Sequence, residues 1–244
     1  MLHKLWVGIL YQPLYNFFIL LVLVMPGSDA GLAIILLTII VKVALLPLTH
    51  KTMKGQMKVN ALQGELNEIK KTVTDKLEIQ KKTQELYKKH GINPFSSCLL
   101  FIVQILVLIA LYEVFRGITG LISLPELYSF VGTPGDLKLN FLGLADLTAK
   151  GNVIFAILAG VTAFIQAKLM KSRQPVSNSS GPQADMTAMM QKTTVYFLPV
   201  MLVVISYTFP SAVALYLITS NIFTIAQELY IKHTTKTETA VLTA

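Results

Sequence analysis

Gly31 to Leu48 reads GLAIILLTIIVKVALLPL, and its one charge is Lys42. About 20 mostly apolar residues, wound as a helix, cross the roughly 30 Å of a bilayer's hydrocarbon. A lysine near the centre of such a helix costs about 2.5–3.5 kcal/mol on insertion scales. The run therefore constrains the chain twice: it belongs in a membrane, and it carries a charge there that needs a reason. Val195 to Ile231 is a second long apolar stretch, with Glu228 as its one charge. Charged residues make up 14% of the chain, against about 25% in soluble domains. A soluble core built from such segments would need helices apolar on every side.

The formal charge of +8 would suggest nucleic acid in a soluble protein. Here the basic residues are confined to particular loops, which is a topology signal, and no specific nucleic-acid binding is expected. Cys98 is the one cysteine, so no disulfide can form within the chain; it reads as a small apolar residue. His3 and Lys4 precede the apolar stretch Leu5 to Met25, which has the outline of a signal peptide. Its length, its Gln12, Pro13 and Asn16, and the lack of a cleavage motif assign it to the mature protein. It is either an amphipathic helix in the interface or a span.

The expected organisation follows from the apolar runs. Residues 1–30 form the N-terminal amphipathic or interfacial helix and a turn, and 31–48 the first transmembrane helix. Residues 49–93 are polar, with ten lysines and five acids. Val59, Leu62, Leu66, Ile69 and Val73 recur at 3-4-3-4 spacing there, and Leu77, Ile79, Leu86 and Tyr87 mark a second helix opened by Asp75 and Glu78. A helical hairpin with facing stripes results. Residues 94–115 are the second span, 116–151 an irregular connecting segment, and 152–168 the third span. A linker at 169–191, spans at 192–209 and 211–230, and a short polar tail at 231–244 complete the chain. Sixteen Lys and Arg fall in the hairpin, the linker with its flanking Lys168 and Lys192, and the tail, against four in the opposite segments. The positive-inside bias puts the N-terminus outside and the C-terminus in the cytoplasm.

Lys42 has two readings. It either snorkels to the nearer membrane surface or faces a wet cavity, in company with Thr38 and Thr49 on the same helical face. In the fifth span Tyr216, Ser220, Thr224 and Gln227 recur at i, i+4, i+8 and i+11, with Thr219 and Asn221 beside them. Gln104 and Gln166 each add an amide to a span. Such groups either line a polar groove or bond across helices as packing glue. Glu113 and Glu228 sit near helix ends and read as snorkelling side chains. No nucleophile–base pair, carboxylate cluster, phosphate loop or metal-ligand spacing accompanies them, so neither catalysis nor a cofactor or metal is expected.

Taken in order, these residues resemble the YidC/Oxa/Alb family of membrane protein insertases, in its short bacterial form. The resemblance rests on GLAIILLT from Gly31 to Thr38, Lys42, and LPLT from Leu46 to Thr49. It continues through YKKHGINP from Tyr87 to Pro94, Gln104, Tyr112 and FLGLADL from Phe141 to Leu147. Gln166, Pro199, FPSAVALY from Phe209 to Tyr216, and Ser220-Asn221 complete it. It implies an all-α polytopic protein whose five transmembrane helices enclose a hydrophilic groove open to the cytoplasm and to lipid. An interfacial N-terminal helix and a cytoplasmic hairpin would flank them. Lys42, Thr38, Gln104, Gln166, Tyr216, Ser220, Asn221 and Gln227 would line the groove. A client's polar segment would enter it before the apolar segment slides into lipid. Nascent client membrane proteins and the bilayer are the implied partners, with the ribosome and the Sec translocon as further candidates, in a bacterial cell membrane. Two features depart from the family pattern: Lys42 stands where arginine is usual, and Gln104-Ile-Leu-Val-Leu108 stands where Q-x-P-x-F is usual. Two other functions fit the spans alone, an anion or small-solute transporter using Lys42 and a structural subunit of a membrane complex. A transporter would show inverted repeats with broken helices, and no repeat is evident.

Overall fold

The computed structural model describes residues 6–73, 75–91, 96–118, 126–135, 137–171 and 193–242. It is mostly helical. A π-helical turn, Val7–Tyr11, leads into α1 (Gln12–Val24), and another, Thr193–Phe197, leads into α8 (Leu198–Thr208). Pro13 and Pro199 occupy the second position of their α-helices. Proline has no N–H for the carbonyl one turn back, and a locally widened turn absorbs that mismatch. The apolar run expected as one helix at 192–209 is therefore a widened turn followed by a short helix.

The run at 31–48 is not one straight helix either. It forms α2 (Ala30–Ala44) and the start of α3 (Leu46–Ala61), with a bend of 54° at Leu45. Pro47 supplies the cause: it lacks the N–H and its ring crowds the Val43 carbonyl. Beyond the bend the helix continues into the lysine-rich segment, as far as Ala61.

Next come α4 (Gln63–Thr72) and α5 (Lys76–Lys89). Leu62, Leu66 and Leu86 are buried together, with Val59, Ile69 and Tyr87 packed around them. Burial pushes the Tyr87 phenol above its usual pKa. Asp75 caps α5, accepting a hydrogen bond from the Leu77 N–H at 3.1 Å. Glu78 pairs with Lys82 at 3.0 Å, so the carboxylate expected to close a capping box serves an i,i+4 pair. Leu77, expected in the apolar stripe, is 68% exposed. The turn residue Thr74, residues 1–5, and most of the 169–191 linker lie outside the described residues.

Helix α6 is Ser96–Ile118, α7 is Val153–Lys171 and α9 is Ser211–Leu242. Helix α9 thus runs on through most of the segment expected as a tail. The connecting segment also departs from an all-α reading. There β1 (Asn140–Phe141) pairs antiparallel with β2 (Ala145–Asp146). The turn between them holds Leu142 at φ 48° and Gly143 at φ 75°. A leucine in the left-handed region carries strain of order 1–3 kcal/mol. Among the described residues, Val7–Val24, Val153–Met170 and Ser211–Ile231 are each long and apolar enough to cross a membrane, as is the bent pair α2–α3 taken as one span. Helix α6, at 23 residues, extends about 34 Å at 1.5 Å per residue.

Packing is inside-out relative to a soluble protein. On α7 the small residues Ala156, Ala159, Ala163 and Ala167 are buried, while Ile154, Ile157, Leu158, Val161 and Ile165 are 43–70% exposed. Small residues let helix backbones approach closely in lipid, and the exposed stripe on the opposite face is lipid-facing surface. Gly160 shows how close the approach is: a Cβ there would meet Val203 Cγ2 at 2.2 Å. Helix α7 packs against α8 and α9, α9 against α2, and α2 against α1. Phe18 and Phe115, ring centroids 5.8 Å apart, fix α1 against α6 in the centre of the core.

Two polar side chains tie the connecting segment to the helix ends. Asp29 Oδ1 accepts from the N–H groups of Gly31 and Leu32 at 2.8 and 3.1 Å, capping α2. Its Oδ2 accepts from the Leu142 N–H at 3.0 Å, so one carboxylate holds both helix and hairpin. Phe141 lies against Gly31, where any Cβ would fall 2.2 Å from the ring. Asn16, only 2% exposed, accepts from the Tyr128 N–H at 2.7 Å and donates to the Glu126 carbonyl at 3.2 Å.

An N-cap is worth about 1 kcal/mol, and a buried N–H left without its acceptor costs about 1–3 kcal/mol. Asp29→Ala should therefore lower unfolding stability in detergent by roughly 2–4 kcal/mol, with Asp29→Asn milder; an unchanged midpoint would refute the double role. Gly160→Ala should destabilise by about 1–3 kcal/mol through overpacking. Adding Val203→Ala should restore most of that loss in the same unfolding assay, since a β-branched valine cannot swing aside.

Candidate functional site

The polar face of α9 organises the candidate site. Tyr216, Ser220, Thr224 and Gln227 lie along one side of it, over about 16 Å of helix axis. At the buried end, Gln104 of α6 donates through Nε2 to the Tyr216 hydroxyl at 2.5 Å and the Ser220 hydroxyl at 3.2 Å. One turn further, Lys42 of α2 donates through Nζ to Thr224 Oγ1 at 3.2 Å. The Thr224 hydroxyl itself donates to the Ser220 carbonyl at 2.9 Å, which leaves its lone pairs for the lysine. At the other end, Gln227 donates through Nε2 to Thr49 Oγ1 at 2.8 Å, and Thr49 donates to the Leu46 carbonyl at 2.9 Å. Tyr216 and Ser220 are 2% and 3% exposed, whereas Lys42, Gln104, Thr224 and Gln227 are half-buried. The ladder thus runs from a dry end to an accessible one, on the side where α3 continues into the lysine-rich helices.

The chemistry available is that of donors and acceptors. An ammonium has three N–H donors, and a neutral threonine hydroxyl engages one of them without removing the charge. Such a site can attract an anionic group and offer hydrogen bonds to a peptide backbone. Among the described residues, no cluster of His, Cys, Asp or Glu is placed to hold a metal.

The other expected groove residues lie elsewhere. Thr38 is 1% exposed and its hydroxyl donates to the Ile34 carbonyl at 2.6 Å, so its polarity is used within its own helix. Asn221 turns to α7, donating to the Ala159 carbonyl at 3.3 Å and to Thr162 Oγ1 at 3.1 Å; it acts as interhelical glue. Gln166 is half-buried on α7 and joins no hydrogen bond of the ladder. Thr224 and Thr49 take their place. Helical periodicity already marks Thr224, and the i+7 spacing already pairs Thr49 with Lys42; since that spacing crosses the bend at Leu45, it is Gln227 that ties Thr49 to the ladder.

The two glutamates read as snorkelling are engaged instead. Glu113 Oε2 accepts from Trp6 Nε1 at 2.7 Å, and its backbone carbonyl accepts from the Tyr11 hydroxyl at 3.4 Å. Glu228 is 4% exposed. Glu113 is half-buried and held by Trp6, whereas Glu228 is buried midway along α9, because that helix runs on past the apolar run to Leu242. Nearby, the Arg116 guanidinium lies 5.7 Å from the Tyr112 ring centre, and Tyr112 meets Phe209 edge-on at 5.0 Å.

Known proteins match this chain along most of its length. The family model of the 60Kd inner membrane protein matches residues 22–238. The membrane protein insertase YidC of Fusobacterium nucleatum is 36% identical over 205 residues, covering 84% of this chain and 86% of that protein. The YidC of Clostridium tetani is 32% identical over 216 residues, covering 88% and 87%. The insertase MisCA of Bacillus subtilis is 32% identical over 214 residues, covering 85% and 72%. A crystal structure of an active YidC insertase, with its first transmembrane domain resolved, has the same fold. Its TM-score is 0.58 at 24% identity, over 92% of this chain and 46% of that one. With a family model and relatives of this similarity spanning most of its length, the chain belongs to the YidC-type family of membrane protein insertases.

Proposed function

We propose that this chain inserts client membrane proteins into a bacterial membrane, by giving each client's polar segment a hydrogen-bonding path beside Lys42. The single observation that carries the mechanism is the ladder on α9, which holds a lysine between helices with a neutral partner. Insertion needs no bond chemistry. Its barrier is the movement of polar backbone through hydrocarbon, at several kcal/mol for each unsatisfied group. A line of amide, hydroxyl and ammonium groups that reaches part of the way across lowers that barrier. The Lys42 charge attracts acidic client segments, and the membrane potential assists their outward movement by about 2.3 kcal/mol per charge per 100 mV.

In this reading the runs at 31–48, 94–115, 152–168, 192–209 and 211–230 are five spans around a groove. The groove opens toward the cytoplasm, where α4 and α5 form the hairpin that receives clients. The ribosome or the Sec translocon could deliver a client to that position. The N-terminal helix lies along the outer interface, its Trp6 and Tyr11 tied to Glu113 near the end of α6. The N-terminus is outside and the C-terminus cytoplasmic, in keeping with the lysine-rich hairpin. Lysine, unlike arginine, is a compact charge without a planar fork, so Lys42 attracts clients without selecting a bidentate carboxylate geometry.

In a host depleted of its own insertase, the chain should restore insertion of a small single-span client; normal expression without restored insertion would overturn the proposed function. Lys42→Arg should preserve insertion. Lys42→Ala should slow clients with acidic leading segments about tenfold, the equivalent of ~1.4 kcal/mol, and neutral clients much less. Equal rates for both client classes would reduce Lys42 to a structural lysine.

A further inference from the structure

The hairpin between β1 and β2 presents two leucines where a water-facing turn would carry polar residues. Leu142 and Leu144 are 59% and 76% exposed, and Leu142 has φ 48°, a conformation that favours glycine or asparagine. The hairpin does not hang free. Asp29 Oδ2 accepts from the Leu142 N–H, Phe141 seals against Gly31, and the Leu147 N–H donates to the Leu139 carbonyl at 2.8 Å. A strained backbone is thus fixed rigidly with its leucines outward.

What covers them follows from their position. Phe141 meets Phe155 of α7 at 6.4 Å, so the hairpin stands beside the first turn of α7. There Val153 and Ile154 are 55% and 70% exposed, and they begin the apolar stripe that runs down α7 toward Ile165. The hairpin's exposed leucines thus stand near the end of the helix where that stripe begins. Exposed Lys138 and Lys150 flank the hairpin in sequence, and their charge suits phospholipid phosphates. The one acid in it, Asp146, is exposed and accepts from the Thr148 N–H and hydroxyl at 2.8 and 2.7 Å.

We propose that the Leu142–Leu144 tip is a fixed lipid anchor, inserted at the boundary of headgroups and acyl chains of the leaflet beside the start of α7. It would hold α2 and α7 at a set depth, because Asp29 and Phe141 couple the tip to both helices. The inference rests on the reading of α7 as a membrane span, and the test separates the two.

In a Cys98→Ser background, Leu144→Cys carries an environment-sensitive fluorophore, with Ile157→Cys on the α7 stripe as the bilayer control and Thr133→Cys as the aqueous one. The full chain is reconstituted in vesicles of phosphatidylethanolamine and phosphatidylglycerol at two protein densities. Nitroxides attached near the headgroup end of the acyl chains should quench Leu144 strongly, deeper ones less, and aqueous iodide little. An aqueous spectrum quenched by iodide at Leu144, with Ile157 quenched by the lipid nitroxides, would overturn the anchor and leave the span standing. Iodide quenching at both positions would overturn both. Shielding that appears only at high protein density would overturn the anchor in favour of contact with a second copy. Leu142→Asn, which suits the backbone, should keep the melting temperature in detergent while reducing lipid quenching at the neighbouring Leu144 probe.

Discussion

Inside a bilayer there is no water to accept a stray hydrogen bond, so every polar group carried there must find its partner in the protein. In this chain α9 provides most of those partners. Its Tyr216 and Ser220 take the Gln104 amide, its Thr224 takes the Lys42 ammonium, and its Gln227 reaches across to Thr49. Three helices that diverge in sequence are thereby referred to one straight rod. The same constraint explains the opposite side of α9, where Asn221 bonds to the Ala159 carbonyl and Thr162 of α7. One polar face is fully consumed in packing, and the other keeps donors of Lys42 in reserve. That asymmetry is what marks the Lys42 face as the candidate site.

Shape complementarity does the rest of the assembly. Apolar side chains gain little by leaving lipid, so helices associate where small residues let backbones close up. The alanines of α7 and Gly160 against Val203 are that interface. At the membrane surface, where water returns, the joints become polar again: Asp29 caps α2 and grips the hairpin, and Asn16 holds the 126–128 segment. The Ser211 hydroxyl and N–H both donate to the Ala149 carbonyl at 2.9 Å, docking the tight turn between α8 and α9 on the same segment. The surface layer is therefore built from single side chains that each satisfy two elements.

How much of this could be read beforehand depends on the range of the interaction. The polar face of α9 was legible, because helical periodicity sorts Tyr216, Ser220, Thr224 and Gln227 without knowledge of any neighbour. Lys42 and Gln104 stood out as polar residues in greasy runs, and the family resemblance ordered them. Pro47, near the end of the first apolar run, allows either a kink or a stop; the structure has the kink, 54°, with helix continuing to Ala61. Thr38 stays outside the ladder because its hydroxyl is satisfied by the carbonyl four residues back, which spacing alone does not reveal. Asn221 and Gln166 were indistinguishable from Gln104 in sequence; only the rotation of each helix decides which amide meets the ladder. The double role of Asp29 is not legible locally, since its second partner, Leu142, lies 113 residues away. Nothing local encodes such a contact.

The bend at Leu45 gives the ladder a further consequence. Lys42 lies before the bend and Thr49 after it, yet both are bound to α9, so the direction of α3 is set by α9 and not by α2 alone. Proline has already removed the backbone hydrogen bond that would make the two helices one. What holds α3 in place on this face is the Gln227–Thr49 hydrogen bond, and a neutral bond of that kind is worth about 0.5–1.5 kcal/mol. Lys42, before the bend, is bonded separately to Thr224 of α9. On the proposed reading a client segment offers its own carbonyls and amides in exchange for that bond, at nearly no net loss. On that reading it is the accessible end of the ladder that meets the client, while the buried end, with Gln104 on Tyr216 and Ser220, stays closed. A site that yields at one end and holds at the other admits a polar segment part of the way across and leaves its apolar remainder no exit except sideways into lipid.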